Sequence, residues 1–284
     1  MDNKHSLVAA VQMVSTGDIN LNLDAAAKLI AAAAARGASL VLLPENFAVL
    51  DGGPLRQYGE IEGQDDSLLQ KFLADQAKQH NVLLVGGTIP LLSRPSSSGA
   101  PGSVLEDGRV RPACLVYDGN GKQIARYDKM HLFDVIVEDK QAQYMESRSF
   151  ESGDRPVSLM TALGHLGLSI CYDLRFPELY RKLAEQGAEI VTVPSAFTYA
   201  TGKAHWEALL RARAIENQCY VIAANQGGVH NAKRETWGHS MIIDPWGTVL
   251  DCVETGEGIA CAALDLESLK RIRRNMPVMN HRRM

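Results

Sequence analysis

Cys171 is the residue of this chain whose type and position best suit nucleophilic catalysis. It follows an apolar run at 166–170 and precedes Pro177, a residue that suits the first turn of a helix. A cysteine at such a strand–turn–helix junction lies beside backbone N–H groups that can bind a developing oxyanion. Most free cysteines are instead small buried core residues, so the local sequence leaves both interpretations of Cys171 open.

Three further ionisable residues could take part in the same chemistry. Glu45 follows the run 40–44, and a carboxylate after a buried strand is either a turn or capping residue or a placed acid–base group. Lys129 lies between apolar neighbours and, taken alone, is better explained as a surface lysine with a packed aliphatic stem. The local sequence gives even less evidence of a functional role for Glu146. None of the three identifies a site without the others.

The elements that must position these residues alternate between strands and helices, which indicates an α/β protein. Strands are predicted at 7–14, 39–43, 82–87 and 166–170. Helices are predicted at 24–36 and 67–79 and after Pro177, and glycines at 37 and 187 are natural helix ends. A flexible surface loop is expected at 93–102.

Two pairs of segments repeat within the chain. Residues 35–47 resemble residues 185–197, since both run from a helix end through glycine, a buried strand and proline to phenylalanine. Residues 116–121 and 242–247 each end in the D-x-x-G pattern of a tight turn. Two matches in the same order suggest a duplicated unit. Chemistry in α/β sheets collects where strands end, so the residues after these strands are the candidates.

Together, the segments resemble the nitrilase, or carbon–nitrogen hydrolase, superfamily, whose signature is a Glu–Lys–Cys set. Leu-Pro-Glu45, Lys129-x-His-Leu and Cys171-Tyr-Asp-Leu-Arg-Phe-Pro-Glu match its three segments in order and spacing. Glu146 falls where the family has a second, supporting glutamate. The resemblance runs from residue 7 to about residue 283. It implies a four-layer α-β-β-α sandwich built by internal duplication, with one domain over 1–284.

Within the superfamily, the chain most resembles the deaminated glutathione amidase type, which is close to the omega-amidases. The resemblance implies hydrolysis of a small carboxylate-bearing amide, deaminated glutathione first, to an acid plus ammonia through a cysteine thioester. Cys171 would attack, and Glu45 would take and return the proton. Lys129 and the backbone N–H of Tyr172 would hold the oxyanion, and Glu146 would position Lys129. The supporting stretches are 197–207, 210–217, 238–241, 244–247 and 276–283.

Several alternatives remain open at this point. An omega-amidase acting on α-ketoglutaramate, an N-carbamoyl amine hydrolase and a nitrilase would share the same core residues. A papain-like hydrolase would instead pair Cys171 with a histidine. An inactive scaffold could keep the fold and lose turnover, although all four catalytic positions are filled.

The pocket around Cys171 should hold the acid part of the substrate. Arg175 is the candidate carboxylate partner because its planar guanidinium suits one, with a structural ion pair as an equal alternative. Tyr172, Phe197 and Thr198 are candidate pocket residues, although packing explains Phe197 better. The histidines at 205, 230 and 239 lack metal spacing, so no metal and no cofactor is expected.

Composition limits the partners and the compartment. The net charge of −4 does not indicate a basic surface of the kind that binds nucleic acid or an anionic membrane. No apolar run approaches the roughly 20 residues that span a bilayer. Residues 1–5 lead straight into the first predicted strand without the long apolar region of a signal peptide, so none is expected. The five cysteines form no C-x-x-C pair, which favours a reducing cytoplasm. The resemblance implies a homodimer that binds a small-molecule amide.

Overall fold

A computed structural model describes residues 6–50, 53–65, 67–96 and 102–283. The N-terminal residues 1–5 and half of the loop expected at 93–102, namely 97–101, lie outside the described residues. Strands and helices alternate along the described chain, as the sequence predicts for an α/β protein.

The described residues form seventeen strands, six α-helices and three 3₁₀ turns. The strands are β1 (Ser6–Gln12), β2 (Leu40–Leu42), β3 (Leu83–Val85), β4 (Ile89–Leu91), β5 (Arg111–Tyr117), β6 (Gln123–Asp128), β7 (Asp134–Ile136), β8 (Gln143–Met145), β9 (Val157–Thr161), β10 (Gly164–Leu168), β11 (Ile190–Ser195), β12 (Tyr220–Asn225), β13 (Gly227–Val229), β14 (Glu235–Trp237), β15 (Ser240–Ile243), β16 (Val249–Val253) and β17 (Gly258–Leu264). The helices are α1 (Ile19–Ala35), α2 (Leu55–Ile61), α3 (Leu68–His80), α4 (Pro177–Glu185), α5 (Tyr199–Asn217) and α6 (Leu266–Asn275). The 3₁₀ turns are Glu146–Arg148, Cys171–Arg175 and Val278–His281.

Two large sheets form the centre of the molecule. The first has the order β17-β1-β2-β3-β5-β4, with β6 paired to β5, and the second has the order β16-β15-β12-β11-β10-β9. In the first sheet, β1, β2 and β3 are parallel, and in the second, β10, β11 and β12 are parallel. The segments that follow these parallel strands therefore leave the sheets at their carboxyl ends, where α/β proteins bind ligands.

The alternation of side chains along β1 explains the layering. Ala9 and Val11 belong to a buried cluster that also contains Ile30 of α1 and Leu73 of α3. Val8 and Ala10 point the other way and share a second cluster with strands of the other sheet. That second cluster also includes buried residues of α4 and α5. The order of layers is therefore helix, sheet, sheet, helix, and the expected four-layer sandwich is confirmed.

The predicted strands and helices are present, but some of their ends differ. The helix expected at 24–36 begins earlier, at Ile19, because the carboxylate of Asp18 accepts hydrogen bonds from the N–H groups of Asn20 and Leu21. The continuous run of strong helix formers begins only after Asp24, at Ala25, which is why the sequence placed the helix start at 24. Gly37 follows the helix with a φ of 90°, as expected of a glycine at a helix end.

The internal repeat corresponds to equivalent elements of the two sheets. Residues 35–47 and 185–197 contain β2 and β11, each the middle strand of three parallel strands. The two D-x-x-G segments are both hairpin turns, in which the N–H of Gly121 donates to the Asp118 carbonyl and that of Gly247 donates to the Asp244 carbonyl. The duplicated halves thus face each other across the interface between the sheets.

Candidate active site

Cys171 begins the 3₁₀ turn that joins β10 to α4. Its backbone φ is 46°, a left-handed value that is uncommon for a residue with a side chain. Backbone strain of this kind persists only where the surrounding structure enforces it, and it is concentrated at functional sites. The residue is 8% exposed. Its buried position at a strand–turn–helix junction agrees with the position that the sequence predicts.

Asp173 holds this turn against the segment that carries Lys129. Its fully buried carboxylate accepts hydrogen bonds from the Ile170 N–H at 2.8 Å and from the Tyr127 hydroxyl at 2.7 Å. The backbone N–H of His131 donates to it at 3.0 Å. Asp173 lies within the cysteine motif, but the local sequence did not predict a function for it. Its position two residues after Cys171 was the only feature of the sequence that could have indicated a role in positioning the cysteine.

Lys129 is fully buried and lies between two carboxylates. Its Nζ atom donates to Oε1 of Glu45 at 2.8 Å and to both carboxylate oxygens of Glu146 at 2.8 Å. Glu146 Oε2 also accepts a hydrogen bond from the Phe133 N–H at 2.6 Å. The interpretation that the local sequence favoured for Lys129, a surface lysine with a packed aliphatic stem, is therefore wrong. The ammonium is a fixed charge inside the protein, and Glu146 supports it.

Glu45 connects the two halves of the molecule. It follows β2 in the first sheet, and its Oε2 atom accepts a hydrogen bond at 2.9 Å from the N–H of Ala196, which follows β11 in the second sheet. Its Oε1 atom accepts from Lys129. Both oxygens are thus held by donors, and the residue is only 3% exposed. A carboxylate fixed in this way keeps one orientation toward the cavity.

The charges of the cluster influence one another. Burial raises the pKa of the Cys171 thiol well above its usual range, and the Glu45 carboxylate raises it further, while the Lys129 ammonium opposes part of the shift. Burial by itself would lower the pKa of Lys129, but the carboxylates of Glu146 and Glu45 outweigh it and raise that pKa well above its usual range. Cys171 therefore rests as a thiol beside a permanent ammonium.

The cysteine and the glutamates line one small cavity. The predicted pocket residues Tyr172, Phe197 and Thr198 line it as well. None of the described residues that line this cavity is a histidine. A papain-like pairing of Cys171 with histidine therefore has no support in the geometry of the pocket.

Arg175 is placed differently from the other predicted site residues. It is not among the residues that line the cavity; its guanidinium lies 5.4 Å from the ring centre of Phe197 and 3.2 Å from the His205 ring. Arg234, which was not predicted as a site residue, lines the cavity instead. Arg234 comes from the turn between β13 and β14, far along the chain from the cysteine motif. No local pattern pointed to it.

A wider cavity of about 260 Å³ adjoins the one that contains Cys171. The two share four lining residues, which are Asn46, Phe133, Glu146 and Arg234. The rest of the wider cavity's lining includes the apolar or aromatic side chains of Leu50, Leu55 and Tyr144 and the polar side chain of Gln141. We call the cavity with Cys171 the inner cavity and the wider one the outer cavity.

Over the described ranges 6–50, 53–65, 67–96 and 102–283, no group of three or more His, Cys, Asp or Glu side chains is arranged to hold a metal ion. Nor does this part of the chain contain a helix that is both long and apolar enough to cross a membrane.

The α-β-β-α sandwich and the buried Cys–Glu–Lys cluster at its centre are features of the hydrolases that use a thiol without histidine. The profile of one such family, described as carbon–nitrogen hydrolase, matches residues 7–274. The chain belongs to the carbon–nitrogen hydrolase family, within the nitrilase superfamily, and it is an amidase of that family.

Individual relatives agree with this assignment. The chain is 44% identical over 283 residues to a deaminated glutathione amidase of Synechocystis sp., covering 98% of each chain. Among solved structures, it is similar to Nit3 of Saccharomyces cerevisiae, with a TM-score of 0.83 and 31% identity over 98% of this chain and 97% of that one. It is also similar to the Caenorhabditis elegans NitFhit protein, with a TM-score of 0.83 and 38% identity over 98% of this chain, and it spans 65% of that protein's length.

A more distant structure is informative about the cysteine. An amidase from Nesterenkonia sp. is 26% identical to this chain, with a TM-score of 0.75, covering 96% of this chain and 98% of that one. That structure is a glutamate-to-glutamine mutant in which acrylamide has added to the active-site cysteine.

Proposed function

We propose that this protein hydrolyses deaminated glutathione and that Cys171 is its nucleophile. The observation that carries the proposal is the position of Cys171 in one cavity with Glu45, a carboxylate that Lys129 and the Ala196 N–H hold at 2.8 and 2.9 Å. The name of the Synechocystis relative supports the substrate. The reactive cysteine of the Nesterenkonia amidase supports the nucleophile.

In the first half-reaction, Sγ of Cys171 attacks the amide carbonyl carbon while Glu45 accepts the thiol proton. Concerted transfer is needed because the raised pKa of Cys171 leaves little free thiolate. Nζ of Lys129 and the N–H of Tyr172, near the start of the 3₁₀ turn, stabilise the tetrahedral oxyanion. When the carbon–nitrogen bond breaks, Glu45 returns the proton to the leaving nitrogen, and a thioester on Cys171 remains.

In the second half-reaction, a water molecule gives a proton to Glu45 and attacks the thioester carbon. The same oxyanion donors act again. The carbon–sulfur bond then breaks, the proton passes from Glu45 to the sulfur of Cys171, and the carboxylic acid leaves. The buried ammonium of Lys129 stays protonated throughout because its pKa is well above its usual range.

Hydrolysis of deaminated glutathione does not release ammonia, although ammonia is the product expected from the sequence. Both amide nitrogens of deaminated glutathione join residues of the tripeptide, so this substrate has no primary amide. We propose cleavage between the deaminated glutamyl group and cysteine, which releases the dipeptide cysteinylglycine. Ammonia would be released only from a primary amide such as α-ketoglutaramate. The outer cavity beside Cys171 offers room for a leaving group of dipeptide size.

The test is product analysis by mass spectrometry across deaminated glutathione, α-ketoglutaramate, a carbamoyl amine and a nitrile. We expect deaminated glutathione to be hydrolysed with the highest kcat/KM and to yield cysteinylglycine. Acid-quenched protein should carry an acyl mass that Cys171→Ala lacks. Preference for the carbamoyl amine or the nitrile would reject the substrate, and an acyl adduct that persists in Cys171→Ala would reject the nucleophile.

We further propose that residues 1–284 form one domain, that the protein is a homodimer and that it works in the cytoplasm. A single core shared by both sheets supports the first point, and five free cysteines support a reducing compartment. Exposed apolar side chains at Ile215, Trp246 and Leu250 offer a surface for a second copy. Light scattering at micromolar concentration should give the dimer mass, and a monomer mass would contradict the assembly.

A further inference from the structure

The end of β12 has no function in the mechanism described so far. Asn225 is the last residue of this strand, and Gln226 follows it. Both residues are fully buried, and both carry amide side chains. A buried amide is costly unless its donor and acceptor atoms are hydrogen-bonded, so the partners of these two side chains show what they hold in place.

Gln226 holds the backbone around Glu45. Its Nε2 atom donates to the main-chain carbonyl of Glu45 at 3.1 Å and to Oγ of Ser15 at 2.8 Å. Ser15 donates in turn from Oγ to the carbonyl of Phe47 at 2.8 Å, and its N–H donates to Oε1 of Gln226 at 3.0 Å. The carbonyls on both sides of Asn46 are thus fixed. Asn46 has a left-handed φ of 55°, a value that the surrounding contacts must enforce.

Asn225 holds the segment that binds the Glu45 carboxylate. Its Oδ1 atom accepts a hydrogen bond from the Phe197 N–H at 2.9 Å, and its Nδ2 atom donates to the carbonyl of Gly238 at 2.7 Å. The residue before Phe197 is Ala196, whose N–H donates to Oε2 of Glu45 at 2.9 Å. Asn225 therefore fixes the donor that orients one oxygen of the carboxylate.

The main chain at the same point joins the two sheets. Gln226 forms an isolated parallel bridge with Met13, which follows β1 of the first sheet. Its N–H donates at 3.0 Å to the carbonyl of Ser195, the last residue of β11 in the second sheet. Glu45 follows a strand of the first sheet and Cys171 a strand of the second. Contacts across this junction therefore decide how the base lies relative to the thiol.

We propose that Asn225 and Gln226 are positioning residues that hold Glu45 in place beside Cys171 for proton transfer. The inference rests on the proposed function, in which Glu45 carries the proton. Neither amide is among the described residues that line the inner cavity, so both act through Glu45 and not on the substrate. An amide side chain does not titrate, so the pair fixes the carboxylate without placing a second charge beside it.

The kinetic test replaces Gln226 by Met, which keeps the length of the side chain and removes its hydrogen bonds. We expect kcat to fall about tenfold with a smaller change in KM, because the base is displaced from the reacting atoms. The substrate is whichever of the four test compounds the wild type hydrolyses fastest. Gln218→Met is the matched control, since Gln218 is also a buried glutamine but donates to the Met276 carbonyl at 2.8 Å. An equal fall in kcat in both variants, or no fall in Gln226→Met, would overturn the proposal.

Replacement of Asn225 by Asp allows the contacts to be restored by pH. A protonated aspartic acid can accept from the Phe197 N–H with one oxygen and donate to the Gly238 carbonyl with the other, whereas the carboxylate cannot donate. The kcat of Asn225→Asp relative to wild type should therefore fall as pH rises. Asn225→Leu makes neither contact, and its relative kcat should stay low at every pH. Identical pH profiles for the two variants would remove Asn225 from the positioning pair.

A measurement without turnover tests the position of Glu45 directly. Burial raises the pKa of Cys171, and the Glu45 carboxylate raises it further. Lys129 opposes this shift and Glu146 adds to it. If loss of the Gln226 contacts lets Glu45 move away from the thiol, the thiolate absorbance of Gln226→Met should appear at lower pH than that of the wild type. In the Glu45→Gln background the same substitution should have little effect, because the charge is already absent.

The two readouts separate this inference from the proposed function. A thiolate shift of equal size with and without the Glu45 carboxylate would overturn the positioning role, because Gln226 would then act on the cysteine by another route. A shift that requires Glu45, in a protein that hydrolyses none of the four compounds, would reject the proposed function and keep the positioning role. Hydrolysis of deaminated glutathione with neither a kcat effect nor a thiolate shift in Gln226→Met would do the reverse.

Discussion

Nζ of Lys129 lies 2.8 Å from Oε1 of Glu45, and neither side chain is appreciably exposed to solvent. The two residues come from segments separated by β3, β4, β5 and β6. A buried ion pair adds little net stability compared with apolar packing, because both charges lose their water. Its retention at the centre of this sandwich is best explained by chemistry, since the pair provides a base and an oxyanion donor in one fixed arrangement.

Replacement of Glu45 by Gln should lower kcat by about 10²- to 10⁴-fold, because proton transfer to and from the thiol and the leaving nitrogen loses its carrier. Steady-state kinetics on purified protein measures this. Glu62→Gln is the matched control, since Glu62 is also a buried carboxylate but accepts hydrogen bonds from the N–H groups of Leu69 and Gln70 in α3. That variant should lose stability and keep kcat. Near-normal kcat in Glu45→Gln would remove Glu45 from the mechanism.

Lys129→Met should destabilise the fold by about 3–5 kcal/mol, because it leaves two carboxylates without their counter-ion. Denaturant unfolding gives the free energy. Lys129→Met/Glu146→Gln should recover part of that loss, since one buried charge is then removed, but should stay inactive without the oxyanion donor. If the double variant is no more stable than the single one, the two charges are not coupled as the 2.8 Å contacts indicate.

Asp173→Asn should slow catalysis although Asp173 does not line the inner cavity. The amide keeps the size of the carboxylate but cannot accept all the hydrogen bonds from Ile170, Tyr127 and His131. We expect a fall in kcat of about tenfold or more, with a smaller change in KM, because the Cys171 turn shifts relative to Lys129. The exposed Asp154→Asn is the control. If Asp173→Asn lowers the free energy of unfolding but leaves kcat unchanged, Asp173 has only a structural role.

Cys171 should stay protonated at pH values where an ordinary cysteine ionises. Its pKa is raised well above the usual range by burial and then by Glu45, so thiolate forms only above the pH range in which an ordinary cysteine ionises. Ultraviolet absorbance of thiolate, wild type minus Cys171→Ala, measures this ionisation during a pH titration. Glu45→Gln should bring the transition to lower pH because the opposing negative charge is gone. A wild-type thiolate signal already present near neutrality would contradict the protonated resting state.

Local sequence was informative wherever neighbours along the chain decide the structure. The helix end at Gly37 and the turns at Asp118 and Asp244 follow from backbone preferences of single residues, and each is where the sequence placed it. The start of α1 was misplaced because one hydrogen-bonding carboxylate, that of Asp18, outweighed the weaker helix formers after it. The short strands β7 and β8, which carry the chain to Glu146, had no clear pattern.

Some residues of the candidate site could likewise be predicted from the sequence, and others could not. The Glu45, Lys129 and Cys171 positions were found because their segments resemble a family signature, and the internal repeat placed Glu45 directly after the repeated strand of the first half. Arg175 and Arg234 could not be ranked from sequence. Which arginine faces a cavity depends on the packing of Phe197 and Tyr144 against them, and those contacts join distant parts of the chain.

The sequence by itself determined the layered α/β fold, the family and the residues able to carry the chemistry, because each depends on local periodicity or on short motifs. Only the tertiary structure decided which charges meet. It buried Lys129 between Glu45 and Glu146, tied the Cys171 turn to the lysine segment through Asp173, and brought Arg234 to the junction of two cavities. The reason is physical: the pKa of a group and its contacts depend on burial and on distances of a few ångströms, and these exist only when the two sheets pack together.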